Sequence, residues 1–397
     1  STTPPYREKQ AAATVATVLD TDKELRTMDF TDSLRAGTSA LLTALDLAKA
    51  GELLVVCAGD SRMGEPDTLQ EQNYGDAGGA VVVGTENVIA ELVGTYTISQ
   101  EFLGTWRTEE QDYLKSFPGG FENKFGYNRF IAATLQGVLK KCSLEAKDIT
   151  NAAIAAPTEK ALQSALRSRG FDIKTQVQET FWNTIGDAGT AQPLVLLAAV
   201  LERAKPGDLL LVAGYGDGGD AAIFRATDAI ANFQVVRSVY SQIEVKRTLE
   251  SYGKYARFRK LIRKDYSTDD ESTPVVLLRD QKQILPLYGG KCPACGVIQF
   301  PIHRICTECG HRDGLEEVKL SRRGTLFTFT HDYLTDTPDP PTTHAVIDLD
   351  GGGRVFVQLT DCQAEGVEIG MPLELTFRKY HEGYGIKNYF WKARPAQ

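Results

Sequence analysis

Histidine is nearly missing from this chain: there are five in 397 residues, His303, His311, His331, His344 and His381. The first 302 residues hold no imidazole, which excludes from that stretch every mechanism pairing a nucleophile with a histidine base. Cysteine is also sparse, seven in all, and four of the seven fall between Cys292 and Cys309. With the thiols gathered in one metal-like cluster, the reducing cytoplasm is the expected compartment. Long apolar runs are missing too: stretches such as Pro193 to Leu201 are far shorter than the roughly 20 residues a membrane span needs. The opening "STTPPYREKQ" has neither a charged start with an apolar stretch nor a cleavage site, so no secretory signal is expected. There is no excess of basic charge. A net charge of -8 argues against a phosphate-neutralising surface, and no bulk nucleic-acid partner is expected.

What is present is the balance of a folded globular protein, 42% hydrophobic and 24% charged, in a chain long enough for two or three domains. Over the first 230 or so residues, "ELLVVCAGD", "GGAVVVG", "NAAIAAP" and "DLLLVAGYGDGGDAAIF" read as short buried strands. Between them "TSALLTALDLAKAG", "NRFIAATLQGVLKKC" and "AQPLVLLAAVLERAKPG" read as helices. This predicts an α/β core with fully buried strands. "ALDLAKAGELLVVCAGD" and "AVLERAKPGDLLLVAGYGD" echo one another, as one βαβ-type unit used twice would. The stretch Ser241 to Asp265 reads as a basic helical connector, followed by a polar linker, Tyr266 to Pro274.

Cys292, Cys295, Cys306 and Cys309 form two C-x2-C knuckles ten residues apart, with Gly296 and Gly310 directly after each second cysteine. Paired knuckles place four thiolates around a zinc ion, and each glycine lets the backbone turn its amides towards sulfur. Four thiolates close the coordination sphere, so the expected zinc is structural. His303 and His311 read as surface residues. Beyond the knuckles, "GTLFTFTHDYL", "THAVIDLDGGGRVFVQLTD", "MPLELTFRKYH" and "KNYFWKARP" alternate apolar and polar residues, as a small OB-fold barrel would.

The segment from Pro286 to Pro395 resembles the zinc-ribbon and OB-fold proteins that accompany thiolases, on the strength of "GGKCPACGVIQFPIHRICTECG", "RRGTLFTFT" and "GMPLELTFRKY". The first 230 or so residues resemble the thiolase superfamily, near hydroxymethylglutaryl-CoA synthase and ketoacyl synthases, through "TDSLRAGTSALLTALDLAKAGELLVVCAGD", "YGDAGGAVVVG", "IGDAGTAQPLVLLAAVL" and "GYGDGGDAAIF". The resemblance implies an α/β, duplicated, layered thiolase-like fold, with further strands ahead of the point where Ser1 falls. It implies four segments: a thiolase-like domain at 1–232, a connector at 233–285, a zinc ribbon at 286–318 and an OB-fold barrel at 319–397. An acyl-CoA thioester as substrate, and a thiolase-type partner subunit or a homo-oligomer, are implied with it.

The resemblance fails at the nucleophile. Set on the superfamily's Asn-Ala-Cys-x-Gly-Gly-Thr pattern, "DSLRAGT" puts Leu34 on the acylated cysteine, and Ala155 stands where the activating histidine should be. Asp187 replaces the asparagine of the triad. Cys57 and Cys142 read as buried structural thiols, and Ser33 as a helix cap. Two acyl-CoA readings follow. The chain docks or channels acyl-CoA for a catalytic partner, or it runs a thiol-independent lyase reaction on a 3-hydroxyacyl-CoA with Tyr215 and Asp187, backed by Asp76, as acid and base. Plain structural roles stand beside these: Tyr215 as core packing, Asp187 as an N-cap and Asp76 as a turn residue. A nucleic-acid-binding OB protein is the third reading, and the acidic balance disfavours it.

Overall fold

The computed structural model describes residues 1–117, 120–167, 169–262, 272–335 and 337–396. They form two compact units, Ser1–Lys9 with Met28–Glu244 and Gln10–Thr27 with Val245–Gln397. Part of the polar linker at 266–274 and the end of the basic connector lie outside the described residues. The rest of that connector is two short helices, Val239–Glu244 and Tyr252–Phe258, in place of one.

In the first unit a four-stranded sheet runs in the order Ala90–Ser99, Gly218–Ala226, Leu209–Tyr215, Asn151–Ile154. The last pair is parallel and the others antiparallel. "DLLLVAGYGDGGDAAIF", read from sequence as one strand, is two, folded back through Gly216 and Asp217. Alternation along Leu209–Tyr215 sends Leu210 and Val212 to one face and Leu211, Ala213 and Tyr215 to the other. The first face packs on the helices Ala36–Ala48 and Gln192–Leu201, whose far side meets a two-stranded ribbon of Leu54–Ser61 and Asp76–Val83. The second face carries the helices Asn128–Lys141 and Glu159–Leu166. These are successive α and β layers, as expected of a thiolase-like frame.

The echoed segments do take one form twice, but it is helix, strand and antiparallel return strand, not a parallel βαβ. The expected full burial holds for Leu209–Tyr215 and fails for the ribbon. Leu53, Val55 and Val82 are 76%, 51% and 68% exposed on its outer side, where no described element covers them. Cys57 lies on that exposed side, which corrects its reading as a buried thiol. Ser33 does not cap the helix with its side chain either; its hydroxyl bonds the Asp217 carboxylate at 3.0 Å.

The second unit opens with a helix, Ala11–Leu19, which lies within the 1–232 stretch that the resemblance assigns to the thiolase-like domain. Asp20 at its end accepts hydrogen bonds from Tyr288 (2.8 Å) and Lys319 (2.9 Å) of the ribbon strands. Those strands, Tyr288–Lys291, Ile298–Gln299 and Glu316–Lys319, form a three-stranded sheet. The OB-fold strands follow in the order Arg354–Gln358, Thr342–Leu349, Arg323–Asp332, Pro372–Gly383, Ile386–Pro395. Leu326, Ile347, Val355, Leu373 and Trp391 fill their core. The OB fold is present with its sheet open: among the described residues the two edges are joined by a bridge between Leu359 and Ala393.

Candidate functional site

The first unit encloses a cavity of about 220 Å³ between the end of the Leu209–Tyr215 strand, the 187–193 turn and a one-turn π-helix, Glu122–Tyr127. Leu34 and Ala155, which the sequence resemblance sets on the superfamily's cysteine and histidine, both line it. So do Asp187 and Tyr215, the two acid/base residues named from sequence. Asp76 does not; it is exposed at the start of its strand, opposite Ser61.

Tyr215 reaches the cavity because it ends a buried strand on the face that looks towards the π-helix. Its ring packs edge-on to Tyr127 at 5.5 Å and near Phe130 at 6.5 Å. Its hydroxyl lies over Gly126, where an added Cβ would be 2.3 Å away, so only glycine fits beneath it. No described group hydrogen-bonds that hydroxyl. Burial pushes its pKa well above the ordinary phenol value, and the charges of Glu122 and Asp217 push the same way, so it stays protonated. The Tyr127 hydroxyl, by contrast, is spent on the Ala155 carbonyl at 3.0 Å.

Asp187 sits in the loop before the Gln192–Leu201 helix, fixed by backbone bonds to Asn73 and Gly75. One carboxylate oxygen accepts the Gly189 amide at 2.9 Å, two residues on, which tightens the turn; the N-cap of the short 3₁₀ turn that follows is Ala188, in place of the expected Asp187. The other accepts from Arg62 at 2.6 Å. Arg62 is 2% exposed, lies 4.1 Å over the Tyr74 ring, and has an unpartnered Nε. Burial opposes its charge, yet Asp187 holds the guanidinium above its ordinary pKa. Asp60 fastens the same loop, accepting both the amide and the hydroxyl of Thr190 at 2.9 Å. Breaking a buried pair leaves a bare charge behind, which costs about 3–5 kcal/mol. Arg62→Met is therefore expected to lower the melting temperature sharply, and adding Asp187→Asn is expected to recover part of the loss; melts of the single and double variants check this.

Sequence reasoning missed Arg62 and Glu122, both in the cavity lining. The signal for Arg62 was a charged residue directly after an apolar strand, in "AGDSRM". Glu122 was a lone carboxylate in the aromatic run "GGFENKFGY", with nothing local to mark it.

In the second unit the four cysteine Sγ atoms lie within 4.8 Å of one another, with Cys292 to Cys309 at 3.6 Å and Cys295 to Cys306 at 3.7 Å. Zn–S bonds of about 2.3 Å need tetrahedral edges of about 3.8 Å, so the thiolates fit zinc. Gly296 and Gly310, at φ 76° and 74°, make the left-handed turns that let each knuckle close. No fifth ligand is required, and the zinc is structural.

The larger unit has a thiolase-like fold, and the chain is similar in sequence to hydroxymethylglutaryl-CoA synthases. Over 268 residues the chain is 29% identical to the hydroxymethylglutaryl-CoA synthase of Methanopyrus kandleri, covering 66% of this chain and 76% of that one. It is 29% identical to that of Archaeoglobus fulgidus over 263 residues, 65% of this chain and 76% of the other. Among solved structures, the curacin-pathway HMG synthase in complex with acetyl donor-ACP matches with a TM-score of 0.56 at 16% identity, over 65% of this chain and 68% of that one. In the C-terminal part, residues 286–316 match the rubredoxin-like zinc ribbon domain of ChsH2 and residues 317–378 match its C-terminal OB-fold domain. No described helix is long and apolar enough to cross a membrane.

Proposed function

We propose that this chain acts on acyl-CoA thioesters as a thiol-independent lyase, opening a 3-hydroxyacyl-CoA by retro-aldol cleavage. The observation that carries the reading is the convergence of Tyr215 and Asp187 on the cavity whose nucleophile and base positions hold Leu34 and Ala155. The relatives' named product, hydroxymethylglutaryl-CoA, is a hydroxyacyl thioester of the same class. In the reaction a base takes the 3-hydroxyl proton and the C2–C3 bond breaks, leaving a carbonyl product. The electron pair passes to C2, in conjugation with the thioester carbonyl, and an acid returns a proton there. A protonated Tyr215 suits that last role, and the Arg62–Asp187 pair is fixed in the lining of the same cavity. The scheme needs no thiol and no redox cofactor.

A docking or channelling subunit serving a thiolase-type partner is the second reading, favoured by the loss of both superfamily catalytic side chains. The two separate on one assay: purified chain, alone and with any co-purifying partner, tested for carbonyl release from 3-hydroxyacyl-CoA and for acetyl-CoA condensation. Cleavage by the lone chain that falls in Tyr215→Phe supports the lyase. Activity that appears only with the partner, and survives Tyr215→Phe and Asp187→Ala, overturns it in favour of docking.

A further inference from the structure

We propose that Glu122 is the catalytic base of this cavity, taking the 3-hydroxyl proton while Tyr215 supplies the proton to C2; this rests on the retro-aldol reading above. Neither the superfamily pattern nor the sequence motifs point to this residue, and the assignment comes from the geometry of the cavity wall.

Glu122 opens the π-helix Glu122–Tyr127, and single π turns inside helices recur at functional sites because they re-aim side chains that a regular helix would direct elsewhere. The same turn carries Gly126, which makes room for the Tyr215 hydroxyl, so one irregular turn places both groups. The carboxylate is held from one side only. Oε2 accepts the Thr105 hydroxyl at 2.7 Å, and Oε1 has no described donor. Gly104 backs it closely, since a Cβ there would lie 3.0 Å from Oε1.

The other titratable side chains of the lining are spent or of the wrong kind. Asp187 has both oxygens occupied, by Arg62 and by the Gly189 amide. Arg62, the only cation among the described lining residues, is committed to Asp187. Tyr127 is bonded to a carbonyl. Tyr74 and Tyr215 are phenols whose pKa values burial raises further, so neither is a base near neutral pH. Glu122 is a second carboxylate without a cation of its own. Burial pushes its pKa above the ordinary value and the Asp187 charge adds to this, against the Thr105 hydrogen bond and Arg62. A carboxylate whose pKa is raised is a stronger base than an ordinary one.

The test is the pH dependence of kcat/KM for a series of 3-hydroxyacyl-CoA thioesters beginning with 3-hydroxybutyryl-CoA, with the released carbonyl trapped as its hydrazone. Wild type, Glu122→Gln, Glu122→Asp and Tyr215→Phe are compared, each with its melting temperature. Wild-type cleavage is expected to rise with pH as Glu122 loses its proton. Glu122→Gln, which keeps an acceptor for Thr105, is expected to melt like wild type, to lose about 10²-fold or more, and to lose that acidic limb. Glu122→Asp is expected to keep the limb at reduced rate. If Tyr215→Phe is inactive while Glu122→Gln retains both rate and limb, the base is another group and Glu122 is overturned alone. A wild type inert on the whole series overturns the retro-aldol reading, and this assignment with it.

Discussion

Cys306→Ser is expected to empty the zinc site and unfold the ribbon. Structural zinc contributes about 10–16 kcal/mol of apparent binding free energy near neutral pH, and in small metal sites this is folding free energy. The ribbon has little else to hold it: its strands are two to four residues long, and Ile298, Phe300 and Val318 are only partly buried. Cys306 itself is buried, with its amide bonded to the His311 carbonyl and its carbonyl to the Gly310 amide, so losing the metal also frees the second knuckle. Zinc content by emission spectroscopy and a thermal melt with and without chelator read the result. The wild type is expected to carry zinc at the single four-cysteine site and to lose its low-temperature stability in chelator, while the variant behaves like the chelated protein. The Met28–Glu244 unit has two apolar clusters of its own and is expected to melt unchanged. A variant that keeps full zinc and the wild-type melt would assign the metal to other ligands.

The second large effect is on the chemistry. Tyr215→Phe removes one oxygen and keeps the ring between Tyr127 and Phe130. No described group hydrogen-bonds the hydroxyl, so its loss strands no buried partner, and the variant is expected to stay folded. Loss of a positioned acid typically lowers the rate about 10²–10⁴-fold. Steady-state cleavage of a 3-hydroxyacyl-CoA measures it, and an unchanged rate in a well-folded variant would remove Tyr215 from the mechanism. Because burial keeps the phenol protonated far above neutral pH, the wild type is expected to show no alkaline loss across the physiological range.

The parts legible in the sequence share one property: their signal is local. The zinc knuckles are a covalent spacing with a glycine after each second cysteine, and any chain with that spacing can close the same four-thiolate cage. The helices and strands of the thiolase-like unit announce themselves by period and by punctuation such as "AKAGE" and "AKPGD". Even the exclusion of a Cys-His pair is a count, since a stretch of 302 residues without histidine cannot hold one wherever its strands go. Asp187 and Tyr215 could be named because each stands beside a recognisable glycine-rich turn.

Tertiary structure decided which of those residues meet. Arg62, Glu122, Asp187 and Tyr215 come from four separate segments, and nothing in "SRM" or "FENK" encodes a partner more than 60 residues away. It also separated the two nominated aspartates of the larger unit: Asp187 is drawn into the cavity by the loop that Asp60 fastens, while Asp76, on an outer ribbon, is left at the surface. It opened the barrel, because register between the first and last strands of a sheet is a long-range property that alternation along each strand does not contain. By itself the sequence determined the frame, the zinc and the absence of histidine from the first 302 residues. The acid and base proposed for the cavity depend on the fold, because a pKa and a line of approach belong to surroundings that only packing assembles.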